Sequence, residues 1–464
     1  MILKNAKIYN NGLLREGVIH IDRGIIKNII YNPTEEDLRE LSKENEDNEE
    51  INCEKKTIIP GIIDIHSHLR DMGQGEKETF LTGSKAAAFS GITTAFNMPN
   101  TQPPAITSKQ VKKWMKKAEN NIYINVGFIA GVPKEFNYKE IKDIIDLGVI
   151  GFKIYPLSSL NGIDWTDYLN IQKLFHISSL YQIPIFIHAD WPLSEDKREE
   201  ILQDYALANY RILELHNNLY PCQMEAQFVN FILENYYKII ADNNLNPINY
   251  PIVHFCHISC RESYSLIQKA LNQYKKLKIT FEITPHHLLL SNKIHLENDN
   301  FGKVLPPLRD EEHPQFLYNE LKEGKIQLIG SDHAPHTLIE KVQPYSNAPS
   351  GFPGFESYPL LLLDKVSQYE ISLENFVKIS AENPARLFQL KKKGFIKIGY
   401  DADLIIIDKI AEYPINPENF KTKAKFSPFT GFKTSVQIWK VFMGGYEVNN
   451  EKSSPKGKII KRSI

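Results

Sequence analysis

From Ile58 to about Leu390, short apolar runs alternate with longer amphipathic stretches. The runs fall near residues 62–66, 92–97, 122–130, 149–155, 183–188, 251–257, 279–284 and 326–331. Each is rich in β-branched or aromatic residues, as buried strands are, and helical patterns follow, for example at 108–119, 139–146, 261–276 and 311–323. Eight strand-then-helix units at roughly regular spacing predict an α/β fold, a closed parallel (β/α)8 barrel of the TIM type rather than an open sheet. The longest gap, around 197–238, holds about two helices' worth of residues.

Outside this region the pattern changes. Residues 2–9 and 18–22 read as strands flanking an Asn10-Asn11-Gly12 turn, and the acidic stretch 33–50 reads as an exposed loop. Strand character returns at 394–398, 402–408 and 437–443, with a turn at Gly444-Gly445. Pairing of the two ends would make a small β-sandwich-like subdomain from residues 1–57 and 391–464, split around a barrel of residues 58–390.

Composition fits this picture. A chain of 464 residues accommodates a barrel of about 250 plus a satellite. Apolar residues make up 42% and charged residues 24%, enough for a packed core. A net charge of −1 offers nothing global to nucleic acid or an anionic membrane. Cys53, Cys222, Cys256 and Cys260 have no disulfide-like spacing, which fits a reducing compartment. The N-terminus alternates like a strand and lacks the apolar core of a signal peptide, and no uncharged apolar run approaches the ~20 residues of a membrane span. The expectation is a soluble cytoplasmic protein acting on a small molecule.

Catalytic side chains of a barrel sit at the C-terminal ends of its strands. The first run ends in Asp64-Ile-His66-Ser-His68-Leu-Arg70, with two imidazoles spaced to share one face of a strand. The fourth ends at Lys153, the fifth at His188, the sixth at His257 and the eighth at Asp332. Imidazole and carboxylate are ligands of zinc and similar ions. Six such groups are too many for one catalytic ion and suit two that share a ligand. A lysine ammonium would repel both, whereas a lysine carboxylated by carbon dioxide would be an anionic bridge, so Lys153 is expected to be carboxylated.

The run Pro60-Gly-Ile-Ile-Asp-Ile-His-Ser-His-Leu-Arg70 resembles the signature of the amidohydrolase superfamily, and of its dihydroorotases in particular. So do Asn97-Met-Pro-Asn-Thr101, Thr284-Pro-His-His-Leu288, Ser331-Asp-His-Ala-Pro-His-Thr337, Asn383-Pro-Ala-Arg-Leu-Phe388 and Gly399-Tyr-Asp-Ala-Asp-Leu404, scattered in family order over most of the chain. The resemblance implies His66, His68, Lys153, His188, His257 and Asp332 as ligands of two divalent ions, zinc above all, with Asp332 also the general base. It implies Arg70, Asn100 and His336 as substrate contacts, Arg70 and Asn100 gripping the exocyclic carboxylate of dihydroorotate, and it allows a homo-oligomer. Arginine's planar fork suits a carboxylate. Hydantoinases, dihydropyrimidinases and allantoinases are the alternative within the superfamily, and an inactive scaffold relative is the alternative outside catalysis. Leu305 departs from the family's polar residue before Arg309, and the turn 349–354 could line the ring pocket. Cys256 and Glu282 read as a buried thiol and a supporting carboxylate, or as hosts of an extra metal.

Overall fold

The computed structural model describes residues 1–44, 49–208 and 211–462. Eight parallel strands form the barrel: β6 (Ile62–Ser67), β7 (Ile92–Asn97), β8 (Asn125–Gly131), β9 (Gly151–Ile154), β10 (Pro184–His188), β11 (Ile252–Cys256), β12 (Ile279–Ile283) and β13 (Leu328–Ile329). Each lies within or across one of the eight apolar runs. Neighbours pair in sequence order, and a parallel bridge between Ser67 and His333 ties the first strand to the segment after the last. The floor of the barrel is filled by Phe388, at the end of the helix Asn383–Leu387. Its ring stacks on Phe186 at 5.5 Å and meets Phe96 edge-on at 5.2 Å. The Asn383–Phe388 motif is thus a plug below the chemistry, with Phe186 and His254 in its layer and His188 and Cys256 one pleat higher.

The chain ends meet as the terminal patterns predict. The strands β1 (Ile2–Asn10), β2 (Leu13–Asp22), β3 (Ile25–Tyr31), β4 (Glu50–Asn52) and β5 (Thr57–Pro60) share one eight-stranded sheet with β14 (Leu404–Pro414), β15 (Lys433–Met443) and β16 (Tyr446–Glu447). The join is β5, parallel to β1 and antiparallel to β14. One face of this sheet has its own core, with Leu3, Ile8, Ile19, Ile58, Leu404 and Phe442 buried together. The last strand, β17 (Ile459–Ile460), leaves the sheet and pairs with barrel strand β8.

Three expectations are corrected. Within the acidic stretch 33–50, Glu35–Glu44 is a helix, while residues 45–48 lie outside the described residues. Thr34 and Asp37 cap it reciprocally, the Asp37 carboxylate accepting from the Thr34 N–H at 2.8 Å. Leu38 and Leu41 then pack on Ile2 and Val18. The segment 394–398 is not a strand: Gly394 has φ +78°, and a Cβ there would sit 2.5 Å from the Ala381 carbonyl oxygen. The long gap holds three helices, Glu195–Ala208, Ile212–Leu219 and Cys222–Asp242, the last two separated because Pro221 forces the chain out of helical conformation at Tyr220. Among the described residues, no helix is long and apolar enough to cross a membrane.

Candidate active site and metal centre

All six expected ligand residues are buried at the C-terminal mouth of the barrel. His66 and His68 both turn toward Asp332, their Nε2 atoms 3.5 and 3.1 Å from its Oδ1. On the other side, His188 Nδ1 lies 3.0 Å from His257 Nε2, and the His66 and His257 rings are 5.1 Å apart. Lys153 on β9 is 1% exposed, and its Nζ has no hydrogen-bond partner, lying 5.1 Å above the Tyr155 ring. An ammonium so placed is costly, and its charge acts on the rings of His66, His188, His254 and His257.

Electrostatics favour neutral, ligand-ready imidazoles. Burial pushes His68 down to about 4 and, helped by Lys153, His188 down to about 3. His257 is also held well below its ordinary value, first by burial and then by His188. His66 is the exception. Burial is the largest influence and opposes its charge, but the Glu282 carboxylate against its Nδ1, together with Cys256 and Asp332, outweighs that and raises it to about 10. Glu282 is fully buried and also contacts His254 Nε2 at 3.2 Å and accepts from the His257 N–H at 3.2 Å. It therefore orients the His66 imidazole and holds the backbone that carries His257. Asp64 holds the backbone instead, accepting from the N–H groups of His66 and Ser331, and burial lifts it to about 7.

A cavity of about 360 Å³ opens over this cluster. Its lining includes Arg70, Asn100, Leu305 and His336, which brings the expected substrate contacts together with the departure at 305. Asn100 is partly committed, its Oδ1 accepting from His68 Nδ1 at 2.6 Å, which directs the opposite ring nitrogen toward Asp332. Arg70 donates from Nε to the Pro335 carbonyl at 3.2 Å, and its Nη2 lies 3.1 Å from His336 Nε2. Asp71 does not pair with Arg70. It accepts from the N–H groups of Met72 and Phe80. Lys77 Nζ lies 3.1 Å from His336 Nδ1, so it donates there and leaves the Nε2 proton for the Ser350 carbonyl at 3.1 Å. Arg70 thus faces a donor at His336. Burial, opposed next by the Asp332 carboxylate, lowers its guanidinium only to about 10, which keeps it charged at neutral pH.

Several of these residues sit in left-handed backbone: Arg70 at φ 52°, His257 at 36° and Asp332 at 46°. Non-glycine residues are held there only where surroundings over-determine them. The turn 349–354 does line the cavity, through Ser350 and Gly351. A Cβ at Gly351, φ +124°, would fall 2.7 Å from the Ala334 carbonyl oxygen. Sequence reasoning missed what holds this turn. Lys341, buried, donates from Nζ to the carbonyls of Lys303, Pro349 and Gly351 at 3.2, 2.9 and 2.9 Å, and Lys303 reaches Tyr345 and Ala348. Tyr155 and Gln74 also line the cavity and were not anticipated. His287 is structural, bonded to Thr284 and to the Pro306 and Pro307 carbonyls.

Barrel, terminal sheet and a mouth crowded with imidazoles and carboxylates define a class before any particular enzyme. Residues 57–459 match the amidohydrolase family, and the chain belongs to it. Within that family it is 33% identical over 432 residues to a dihydroorotase of Methanosphaera stadtmanae, covering 92% of this chain and 91% of the relative. It is 33% identical over 436 residues to a dihydroorotase of Methanosarcina acetivorans, covering 92% and 88%. The fold matches the L-hydantoinase (dihydropyrimidinase) from Arthrobacter aurescens with a TM-score of 0.85 over 99% of both chains, at 24% identity.

Proposed function

We propose that this protein is a zinc-dependent dihydroorotase. It opens the ring amide of dihydroorotate to N-carbamoyl-L-aspartate and runs the reverse ring closure of pyrimidine biosynthesis, in the cytoplasm. The observation that carries this reading is Arg70, a buried guanidinium on the cavity wall that, among the described residues, has no carboxylate in ion-pair contact, only the Pro335 carbonyl and His336. A carboxylate on the substrate ring supplies the missing partner. The dihydroorotase relatives support the same choice.

His66, His68, His188, His257 and Asp332 would hold two divalent ions. Lys153 fits the remaining position once its Nζ, as the neutral amine, has added to carbon dioxide and lost a second proton, two protons in all leaving the ammonium, which turns an unpartnered cation into an anionic carbamate ligand. Ions bound there would lower the pKa of a water to about 7 and polarise the ring carbonyl. The protein's own groups do the rest. Arg70, with the free amide of Asn100 and the neighbouring His336, fixes the substrate carboxylate and so sets which ring carbonyl faces the imidazoles. Burial disfavours an ionised Asp332, but His66 and His68 outweigh it and keep the carboxylate well below its usual range. Being ionised and beside the imidazoles at the cavity floor, it is placed to accept the proton of the attacking water and return it to the leaving ring nitrogen.

The hydantoinase alternative shares every part of this centre except the need for Arg70. Ring opening of L-dihydroorotate, dihydrouracil and hydantoin, followed side by side in ultraviolet absorbance, separates them. Turnover of dihydroorotate alone is expected. Turnover of the neutral rings instead overturns the substrate, and inactivity on all three with full metal content favours the scaffold reading.

A further inference from the structure

A second cluster of metal-type side chains lies outside the barrel mouth, where the beginnings of three helices converge. Cys222 opens the helix Cys222–Asp242, Cys260 caps the start of Arg261–Gln273, and His313 lies in the first turn of Glu312–Lys322. The two sulfur atoms and a carboxylate oxygen of Glu262 all lie within 4.8 Å of one another. His313 Nε2 is 3.4 Å from Cys222 Sγ, and its Nδ1 is 3.7 Å from the Glu262 carboxylate. Cys260 is fully buried, His313 is 6% exposed, and Glu262 closes the cluster from the solvent side.

We propose that Cys222, Cys260, His313 and Glu262 form a structural site for a zinc-like divalent ion, separate from the catalytic centre. Two thiolates and an imidazole are the soft donor set that selects zinc. With Zn–S of about 2.3 Å and Zn–N of about 2.0–2.1 Å, a tetrahedral site sets sulfur and nitrogen about 3.5 Å apart and the sulfurs about 3.8 Å apart. The Cys222–His313 contact already has that length, the sulfurs and the Glu262 oxygen, within 4.8 Å of one another, need to close in by up to about 1 Å, and His313 must turn further toward Cys260 to complete the set. The partial positive charge of helix beginnings favours thiolates there, and Cys260 Sγ, which donates to Glu225 Oε1 at 3.3 Å, would give up that proton to the ion. A disulfide between the two cysteines would leave His313 and Glu262 without a part.

The position gives such an ion a purpose. Cys260 follows His257 by three residues, in the loop that carries that imidazole into the catalytic cluster. Arg309 donates to Ser259 Oγ at 2.8 Å and pairs with Glu225 at 3.2 Å, so the segment that includes Leu305 hangs on the same loop. The ion would pin the β11 loop to the helices on either side of it.

The test is made on the full-length protein purified without chelator, comparing wild type with C222S/C260S, H313Q and C256S. The wild type is expected to hold one metal ion more per chain than C222S/C260S. Its cobalt(II) form should show a thiolate-to-metal charge-transfer band that persists in C256S, weakens in H313Q and is lost in C222S/C260S. Equal metal content, or a band lost only in C256S, would overturn the site, and so would a non-reduced wild type lighter by two hydrogens with Cys222 joined to Cys260. If the double variant does not fold, zinc-edge X-ray absorption on wild type and C256S decides, because sulfur neighbours must remain in C256S. None of these readouts depends on which ring the enzyme opens.

Discussion

Replacing Arg70 with methionine tests the substrate assignment most directly. The side chain is 6% exposed, held by the Pro335 carbonyl and flanked by His336, and its remaining donors line the cavity. A hydrogen bond to a charged group contributes about 1.5–3 kcal/mol, and a bidentate guanidinium–carboxylate pair rather more. Methionine fills similar volume without donors, so about 2–4 kcal/mol of transition-state binding should vanish. At about 1.4 kcal/mol per decade that is a fall of roughly 30- to 1000-fold in kcat/KM for dihydroorotate. The matched control is the methyl ester of dihydroorotate, which keeps the ring and removes the negative charge. It should lose no more than about threefold, since only uncharged packing changes for it. Metal content and thermal midpoint, measured on the same preparations, guard against a collapsed site. If acid and ester fall by the same factor, Arg70 serves the architecture of the loop and not the carboxylate, and the argument from its unmatched donor fails.

Three further outcomes are expected. Asp332→Asn should keep its fold and most of its metal while turnover drops by about 10²- to 10⁴-fold, the usual worth of a general base; near-normal turnover in a progress-curve assay would remove the proton-shuttle role. Lys153→Ala should lose metal, measured by atomic emission, and regain part of its activity when short carboxylic acids are added; full metal and full activity without them would refute a carboxylated lysine. Lys341→Met should leave the Pro349 and Gly351 carbonyls unmatched, the Lys303 carbonyl keeping the Gly351 N–H, destabilise the fold by about 2–4 kcal/mol in urea titration, and raise KM more than it lowers kcat as Ser350 and Gly351 shift; an unchanged midpoint would show that the turn is held by other means.

The chain's own pattern was enough for the barrel. A strand buried on both faces must be apolar along its length, so eight such runs betray eight strands, and the residue ending each run lies at the mouth whatever the details of packing. His66, His68, Lys153, His188, His257 and Asp332 were legible for that reason. The helix Glu35–Glu44 was not, because its amphipathic face is two leucines in an acidic stretch and its value depends on the sheet beneath. Gly394–Ile398 has the alternation of a strand but no room for one, since the backbone there is pressed against Ala381.

Sequence by itself therefore determined the strands, their order and which donors each would present, because those follow from local periodicity. Only the tertiary structure decided which donors meet. Glu282 against His66, Asn100 against His68, Lys341 beneath the turn at Gly351, and Cys222 beside His313 are separated by up to 216 residues in the chain. Barrel closure and helix packing set those distances, and no local pattern carries them. The physical reason is that a hydrogen bond or a metal ligand set is specified to tenths of an ångström, whereas hydrophobic patterning specifies only which side of a strand faces inward.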